Sequence, residues 1–257
     1  AAVRAAVDVG INWFDTAPLY GEGHADSVLV DALGADRHNV VLATKVGVRF
    51  GGHDGHAHSD LSPSWVVADT EDSLRRLQVD RIDLLQVHWP CEAGTALDDT
   101  LEALETLRAA GKIRYFGLCN YDAASVTRAQ DFPGMVSVQT PYSLLRREFE
   151  STLRPACGGL GVVVYEPLCR GLLTGKFKEP PLFPETDMPA WDERFQGGRF
   201  RHAAGLVRDL EKIGAKLEVP TAAVAIGWAV AQPGVTAAIA AAKRPEQVIE
   251  NAAACDV

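Results

Sequence analysis

Short apolar runs alternate with longer amphipathic stretches along the whole chain. Runs rich in β-branched and aliphatic residues, of strand length, occupy Ile11–Asp15, Val40–Val46, Ile82–His88, Ile113–Leu118, Met135–Gln139, Gly161–Tyr165 and Thr236–Ile239. Helical periodicity falls between them, at about Ala25–Leu33, Pro63–Leu77, Thr95–Ala110, Ala123–Gln130 and Phe149–Ala156. Two more helices, about Ala203–Leu217 and Thr221–Ala231, precede the last strand, and Pro245–Ala254 follows it. Ser62-Pro63 supplies an N-cap with proline at the first helical position. Gly111 stands just past Ala110, where a left-handed C-cap favours glycine.

Strand–helix repetition implies parallel strands joined by right-handed crossovers. Runs such as Ile82-Asp83-Leu84-Leu85-Gln86-Val87 are largely apolar on both faces, as strands covered on both sides are. The pattern predicts an α/β fold, a (β/α)8 TIM barrel forming a single domain over residues 1–257. Seven strands are legible where a closed barrel takes eight. Ala1–Val9 already reads as helix leading into the Ile11 strand, so the first strand is expected to be missing from this sequence, with the N-terminal segment that carries it. An open doubly wound sheet would place Gly-x-Gly-x-x-Gly after an early strand, and the chain has no such turn. The proline-rich stretch Lys178–Phe200 shows neither period and reads as a long functional loop of the barrel.

Composition narrows the function classes. The net charge of −9 repels phosphate backbones, so nucleic acid is not an expected partner. No apolar run approaches the ~18 residues of a membrane span, and no membrane partner is expected. Cys91, Cys119, Cys157, Cys169 and Cys255 follow no pairing pattern and read as reduced thiols of a cytoplasmic protein.

Polar groups that end apolar strands carry the chemistry. Asp15 ends the first run, Lys45 stands at the end of the second and His88 ends the third, while Tyr20 lies on the loop just after Asp15. In a barrel all four fall at the carboxyl face of the strands, where active sites of that fold are built. A free phenol, with a pKa near 10, is a poor acid at neutral pH. A lysine cation ~4 Å away contributes roughly 4 kcal/mol at an effective dielectric of ~20. That is enough to lower the phenol's pKa by up to ~3. Asp15 would keep Lys45 charged and in place, His88 would orient an incoming carbonyl oxygen, and Tyr20 would act as general acid. These four residues supply no hydride.

Phe14-Asp15-Thr16-Ala17-Pro18-Leu19-Tyr20-Gly21, Ala43-Thr44-Lys45-Val46-Gly47 and Asp83-Leu84-Leu85-Gln86-Val87-His88-Trp89-Pro90 resemble signatures of the aldo-keto reductase superfamily. So do Gly111-Lys112-Ile113-Arg114, Val138-Gln139-Thr140-Pro141-Tyr142 and Pro245-Glu246-Gln247-Val248-Ile249-Glu250-Asn251, all in family order. The flavour resembles the bacterial branch related to potassium-channel β-subunits. The resemblance implies a (β/α)8 barrel that transfers a hydride from NADPH to an aldehyde or ketone, with Tyr20 as proton donor. It places Asn120 and Gln139 on the nicotinamide carboxamide, beside Cys119, which stands where the family usually has serine. It places Tyr165 against the nicotinamide ring, and Pro167, Leu168, Gly171, Leu172 and Lys176 along the pyrophosphate. Gln247, Glu250 and Asn251 match positions around the adenosine, and Lys243 is the candidate for the 2′-phosphate. The same residues would also serve an NADPH-binding regulatory or redox-sensing subunit with slow turnover, or a sugar or alcohol dehydrogenase working in the oxidative direction.

Other features read more plainly. Gly171-Leu172-Leu173-Thr174-Gly175-Lys176 lacks the spacing of a nucleotide-triphosphate loop. His53, Asp54, His56, His58 and Asp60 have metal-ligand chemistry, but their glycine-rich tract reads as a solvated loop and no metal is expected. Trp89, beside His88, is expected to wall the pocket for a small-molecule carbonyl substrate, with Phe50 and Tyr142 as further candidates.

Overall fold

The computed structural model describes residues 1–50, 57–184 and 188–257. The chain forms two compact units, Val3–Thr140 with Glu150–Val162, and Pro141–Phe149 with Val163–Val257.

In the first unit, α1 (Ala2–Asp8) leads to β1 (Trp13–Asp15), and α2 (His24–Leu33) to β2 (Val41–Val46). A short antiparallel pair follows, β3 (Val48–Arg49) with β4 (His58–Ser59). Then come α3 (Pro63–Leu77), β5 (Ile82–Val87), α4 (Leu97–Ala109), β6 (Ile113–Cys119), α5 (Ala123–Ala129) and β7 (Met135–Pro141). The strands run parallel in the order β1-β2-β5-β6-β7, with one helix returning the chain between each neighbouring pair. Ile82, Leu85 and Val87 of β5 are fully buried, and so are Phe116 and Leu118 of β6. The helix α6 (Phe149–Thr152) begins where the chain re-enters this unit.

In the second unit, β8 (Gly161–Tyr165) pairs in parallel with β9 (Ala237–Ala238), Val163 beside Ala237 and Val164 beside Ala238. Between them lie α7 (Gly197–Leu217) and α8 (Thr221–Val230), and α9 (Pro245–Ala252) follows β9. Among the described residues no single helix is long and apolar enough to cross a membrane.

All seven strands expected from the sequence are present, each end within two residues of its expected place. The pair β3–β4 is an addition, since two-residue strands leave no period to read. α7 starts six residues before the expected Ala203, because Gly197 and Gly198 mask a helical face that Phe200, Ala203, Val207 and Leu210 continue into the core. The stretch Lys178–Phe200 also holds two 3-10 turns, Met188–Trp191 and Glu193–Phe195.

Gly47, just after β2, stands in the left-handed region. Its φ is +100°, and an added Cβ would overlap the side chain of the buried Leu61. Gly47→Ala is therefore expected to cost about 2–4 kcal/mol, from left-handed strain and overpacking, measured by urea unfolding.

Candidate active site

Parallel register gathers the carboxyl ends of β1, β2 and β5. Asp15 pairs with Ala43, Lys45 with Gln86 and Val46 with Val87, while the His88 N–H donates to the Val46 carbonyl at 3.1 Å. Asp15, Lys45 and His88 are thus brought to one edge of the sheet by backbone hydrogen bonds alone, and Tyr20 is carried in on the following loop.

The side chains meet as their chemistry requires. The Lys45 ammonium is ion-paired to Asp15 and donates to the Thr16 carbonyl at 3.1 Å. Nζ lies 5.4 Å from the centre of the Tyr20 ring. The second Asp15 oxygen accepts from Gln139 Nε2 at 2.9 Å and from Gln86 Nε2 at 3.2 Å. Burial alone would discharge Lys45, but Asp15, with the Tyr20 phenol, outweighs it and raises the ammonium's pKa. Lys45 is a fixed cation.

The phenol does not follow the simple electrostatic expectation. Burial raises the Tyr20 pKa, Lys45 opposes this by charge and hydrogen bond, and Asp15 raises it again. The net direction is upward, although the residue as a whole is 43% exposed. The expected lowering by Lys45 is corrected for a physical reason: burial of the phenol outweighs the cation, and the carboxylate paired to that cation offsets part of its field. Tyr20 is a proton-bearing phenol throughout the neutral range.

His88 is held neutral. Burial, aided by the Lys45 charge, pushes its pKa down to about 3. Its ring stacks on Trp89, centroids 3.9 Å apart, and meets Tyr20 edge-on at 6.2 Å. Because the unfolded chain takes up this proton near pH 6.5 and the folded chain resists it to about 3, stability is lost as pH falls through that window. Between about pH 7 and about pH 4.5 the loss is ~2–3 kcal/mol, and His88→Gln should remove it from urea-unfolding measurements.

The carboxamide candidates Asn120 and Gln139 stand at the next strand ends, with the Asn120 N–H bonded to the Gln139 carbonyl at 3.1 Å. Asn120, at φ +65°, donates through Nδ2 to the His88 carbonyl at 3.1 Å. Gln139 gives Nε2 to Asp15 and accepts from Cys119 Sγ at 3.5 Å. Burial raises the Cys119 thiol to about 12, so it stays a weak neutral donor. The sequence reading missed Gln86, whose only signal was an amide inside an apolar strand.

Trp89 is 39% exposed and lines a cavity of about 500 Å3 with Val48, His58, Ser59, Pro90 and Cys91. Phe50 is half-buried beyond β3. Tyr142 is a correction: it is fully buried, stacked on Trp228 at 5.4 Å and edge-on to Phe149, and belongs to the core of the second unit, not to a pocket wall. His53, Asp54 and His56 lie outside the described residues. Asp60 is committed to Arg49 and the Ser62 N–H.

In the second unit Tyr165 ends β8 half-buried, followed by buried Pro167 and half-buried Leu168. The side chain of Leu172 is in the core beside Cys169, Leu173 and Phe195, which leaves only its backbone for a ligand. Gly171 has φ +89°, and a Cβ there would meet Lys176 Nζ at 2.8 Å. Gln247 Oε1 accepts the Lys243 and Arg244 N–H groups at 2.8 and 3.1 Å, fixing the turn into α9. Lys243 and Glu250 are exposed, and Asn251 is half-buried.

Comparison with known proteins shows the family. The model of the "Aldo/keto reductase family" matches residues 1–257. "Aldo-keto reductase YhdN" of Bacillus subtilis is 34% identical over 252 residues, 96% of this chain and 75% of that protein. The "Probable voltage-gated potassium channel subunit beta" of Oryza sativa is 32% identical over 278 residues, 100% of this chain and 81% of that one. The glycerol dehydrogenase AKR11B4 from Gluconobacter oxydans superposes with a TM-score of 0.89 at 32% identity, covering 98% of this chain and 78% of its own. An aldo-keto reductase from Klebsiella pneumoniae, solved in complex with NADPH, gives 0.76 at 31% identity over 100% of this chain and 78% of its own. The fold is of the (β/α)8 class, and the chain belongs to the aldo/keto reductase family of oxidoreductases.

Proposed function

We propose that this chain reduces an aldehyde or ketone to an alcohol with NADPH, and that Tyr20 is the proton donor. The observation that carries the reading is a proton-bearing phenol beside a fixed cation and a neutral imidazole.

The phosphates of the cofactor would meet the second unit. Lys176 packs over Phe177 at 4.6 Å and against Gly171, and among the described residues it has no carboxylate partner. Lys176 and Lys243 would hold phosphates, Tyr165, Pro167, Leu168, Gly171 and Leu172 would line the loop beneath, and Gln247, Glu250 and Asn251 would meet the adenosine. In the first unit Asn120, Gln139 and Cys119 would hold the carboxamide. When bound, NADPH supplies the hydride.

The chain's own residues do the rest. His88, a neutral donor, bonds the carbonyl oxygen and fixes its direction. Tyr20 Oη passes its proton to that oxygen as charge develops there. Lys45 stabilises the resulting phenolate, and Asp15, with Gln86 and Gln139, keeps Lys45 in place. Trp89 walls the substrate side. The oxidative direction uses the same residues in reverse, with Tyr20 as the phenolate that takes the alcohol proton. Free thiols at all five cysteines suit a reducing, cytoplasmic setting.

The test is loss of NADPH with a panel of aldehydes and ketones. Carbonyl-dependent loss is the expected result. Tight NADPH binding with no carbonyl-dependent loss would favour a regulatory subunit instead.

A further inference from the structure

Three charged groups lie behind the site and outside the mechanism: the buried Asp26 on α2 and Asp69 on α3, and the half-buried Arg76 on α3. Asp26 is fully buried and Asp69 is 5% exposed. Asp26 Oδ1 accepts the Thr16 hydroxyl at 2.8 Å, and Oδ2 accepts Arg76 Nε at 3.0 Å. Arg76 also donates to Ser73 Oγ at 2.9 Å, and it lies so close over Gly23 that a Cβ there would meet Arg76 Cδ at 2.6 Å. Asp69 Oδ2 accepts the Gly47 N–H at 3.0 Å.

Both arms end beside Lys45. The Thr16 carbonyl accepts from the Lys45 ammonium, and Thr16 adjoins Asp15. Gly47 follows Lys45 by two residues, and the carbonyl of the intervening Val46 holds the His88 N–H. We propose that the Asp26–Arg76–Asp69 cluster positions the catalytic lysine, Asp26 through Thr16 and Asp69 through the Gly47 turn. The proposal rests on Lys45 serving Tyr20 as described above.

The charge on Asp69 makes the brace adjustable. Burial raises its carboxyl to about 6, the Gly47 N–H and then Arg76 oppose this, and Asp26 adds to it. Asp26 on α2 and Arg76 on its own helix are the charged groups acting on Asp69, the turn just after β2 presents the Gly47 N–H, and α4, also packed on α3, adds none among the described residues. Above about 6 the carboxylate grips the Gly47 N–H as a charged acceptor, and below it the grip weakens.

Asp69→Asn keeps the shape and removes the charge. The ratio of wild-type to variant kcat for carbonyl reduction should be about tenfold at about pH 7.5 and within about twofold at about pH 5, where wild-type Asp69 is protonated too. The carbonyl KM and the NADPH Kd should be nearly unchanged. A ratio that does not vary with pH would mean a packing role only and would overturn the proposal. Thr16→Val offers a second arm, expected to lower kcat severalfold at every pH with KM unchanged, and no change there would remove Asp26 from the brace. Nitrogen-15 NMR of the Lys45 ammonium gives a readout that needs no turnover. Its shift should titrate with a midpoint near the Asp69 value of about 6 in the wild type and not in Asp69→Asn. A shift that does not titrate sinks the proposal even if no substrate has been found, whereas a titrating shift in an enzyme that reduces no carbonyl would fault the functional reading alone.

Discussion

Tyr20→Phe should lower kcat for carbonyl reduction by about 10²–10⁴-fold, the usual contribution of a positioned general acid, with NADPH affinity nearly unchanged. The change removes one hydroxyl from a residue already 43% exposed, so stability should fall by no more than ~1 kcal/mol. Because the Tyr20 pKa is raised, wild-type reduction should hold steady above the Asp69 transition near 6 and decline again as pH rises through the phenol's ionisation. The reverse oxidation needs the phenolate and should gain rate over the same rise. Measured kcat–pH profiles in both directions check the assignment, and Tyr20→Phe should abolish both dependences.

The second large effect is at Lys45. Lys45→Met removes the cation that stabilises the Tyr20 phenolate and strands Asp15, whose side chain is 6% exposed, without its partner. Breaking a buried pair in this way costs about 3–5 kcal/mol, which denaturant unfolding should show at neutral pH. Turnover should fall by roughly 10³-fold or more, since the acid and its electrostatic support are lost together. Asp15→Asn combined with Lys45→Met should regain most of the stability and none of the activity, because the stranded charge is gone but the cation is still missing. Recovery of activity in the double variant would show that the pair serves the fold rather than the chemistry.

That Asp15, Lys45 and His88 lie together could be read from the sequence because each follows an apolar run, and parallel register brings such strand ends together. The direction of the Tyr20 pKa could not. It depends on how far the Asp15 charge cancels that of Lys45, and on burial set by residues distant in sequence. Gln86 and Gln139 show the same limit. An amide in a strand does not reveal that both Nε2 groups converge on one Asp15 oxygen. Asp26, Asp69 and Arg76 are harder still, since charges on amphipathic helices usually face water. What marks them is the occupancy of the buried face of α3 by Asp69, Thr70 and Ser73, which a helical wheel shows only once the core side is known. Tyr142 misled because a tyrosine just past a strand end looks like a pocket wall, while its stacking partner Trp228 is remote in the chain.

The central claim is direct hydride transfer to a carbonyl carbon at a site where Tyr20 supplies the proton. The most direct measurement uses NADPH deuterated at the nicotinamide C4 with a carbonyl substrate in ordinary water, followed by mass spectrometry and NMR of the alcohol. The account predicts one deuterium on the former carbonyl carbon and none elsewhere, with the label lost from the coenzyme in step and the transfer suppressed in Tyr20→Phe. An alcohol that carries no label, or a Tyr20→Phe enzyme that transfers it at the wild-type rate, would contradict the account.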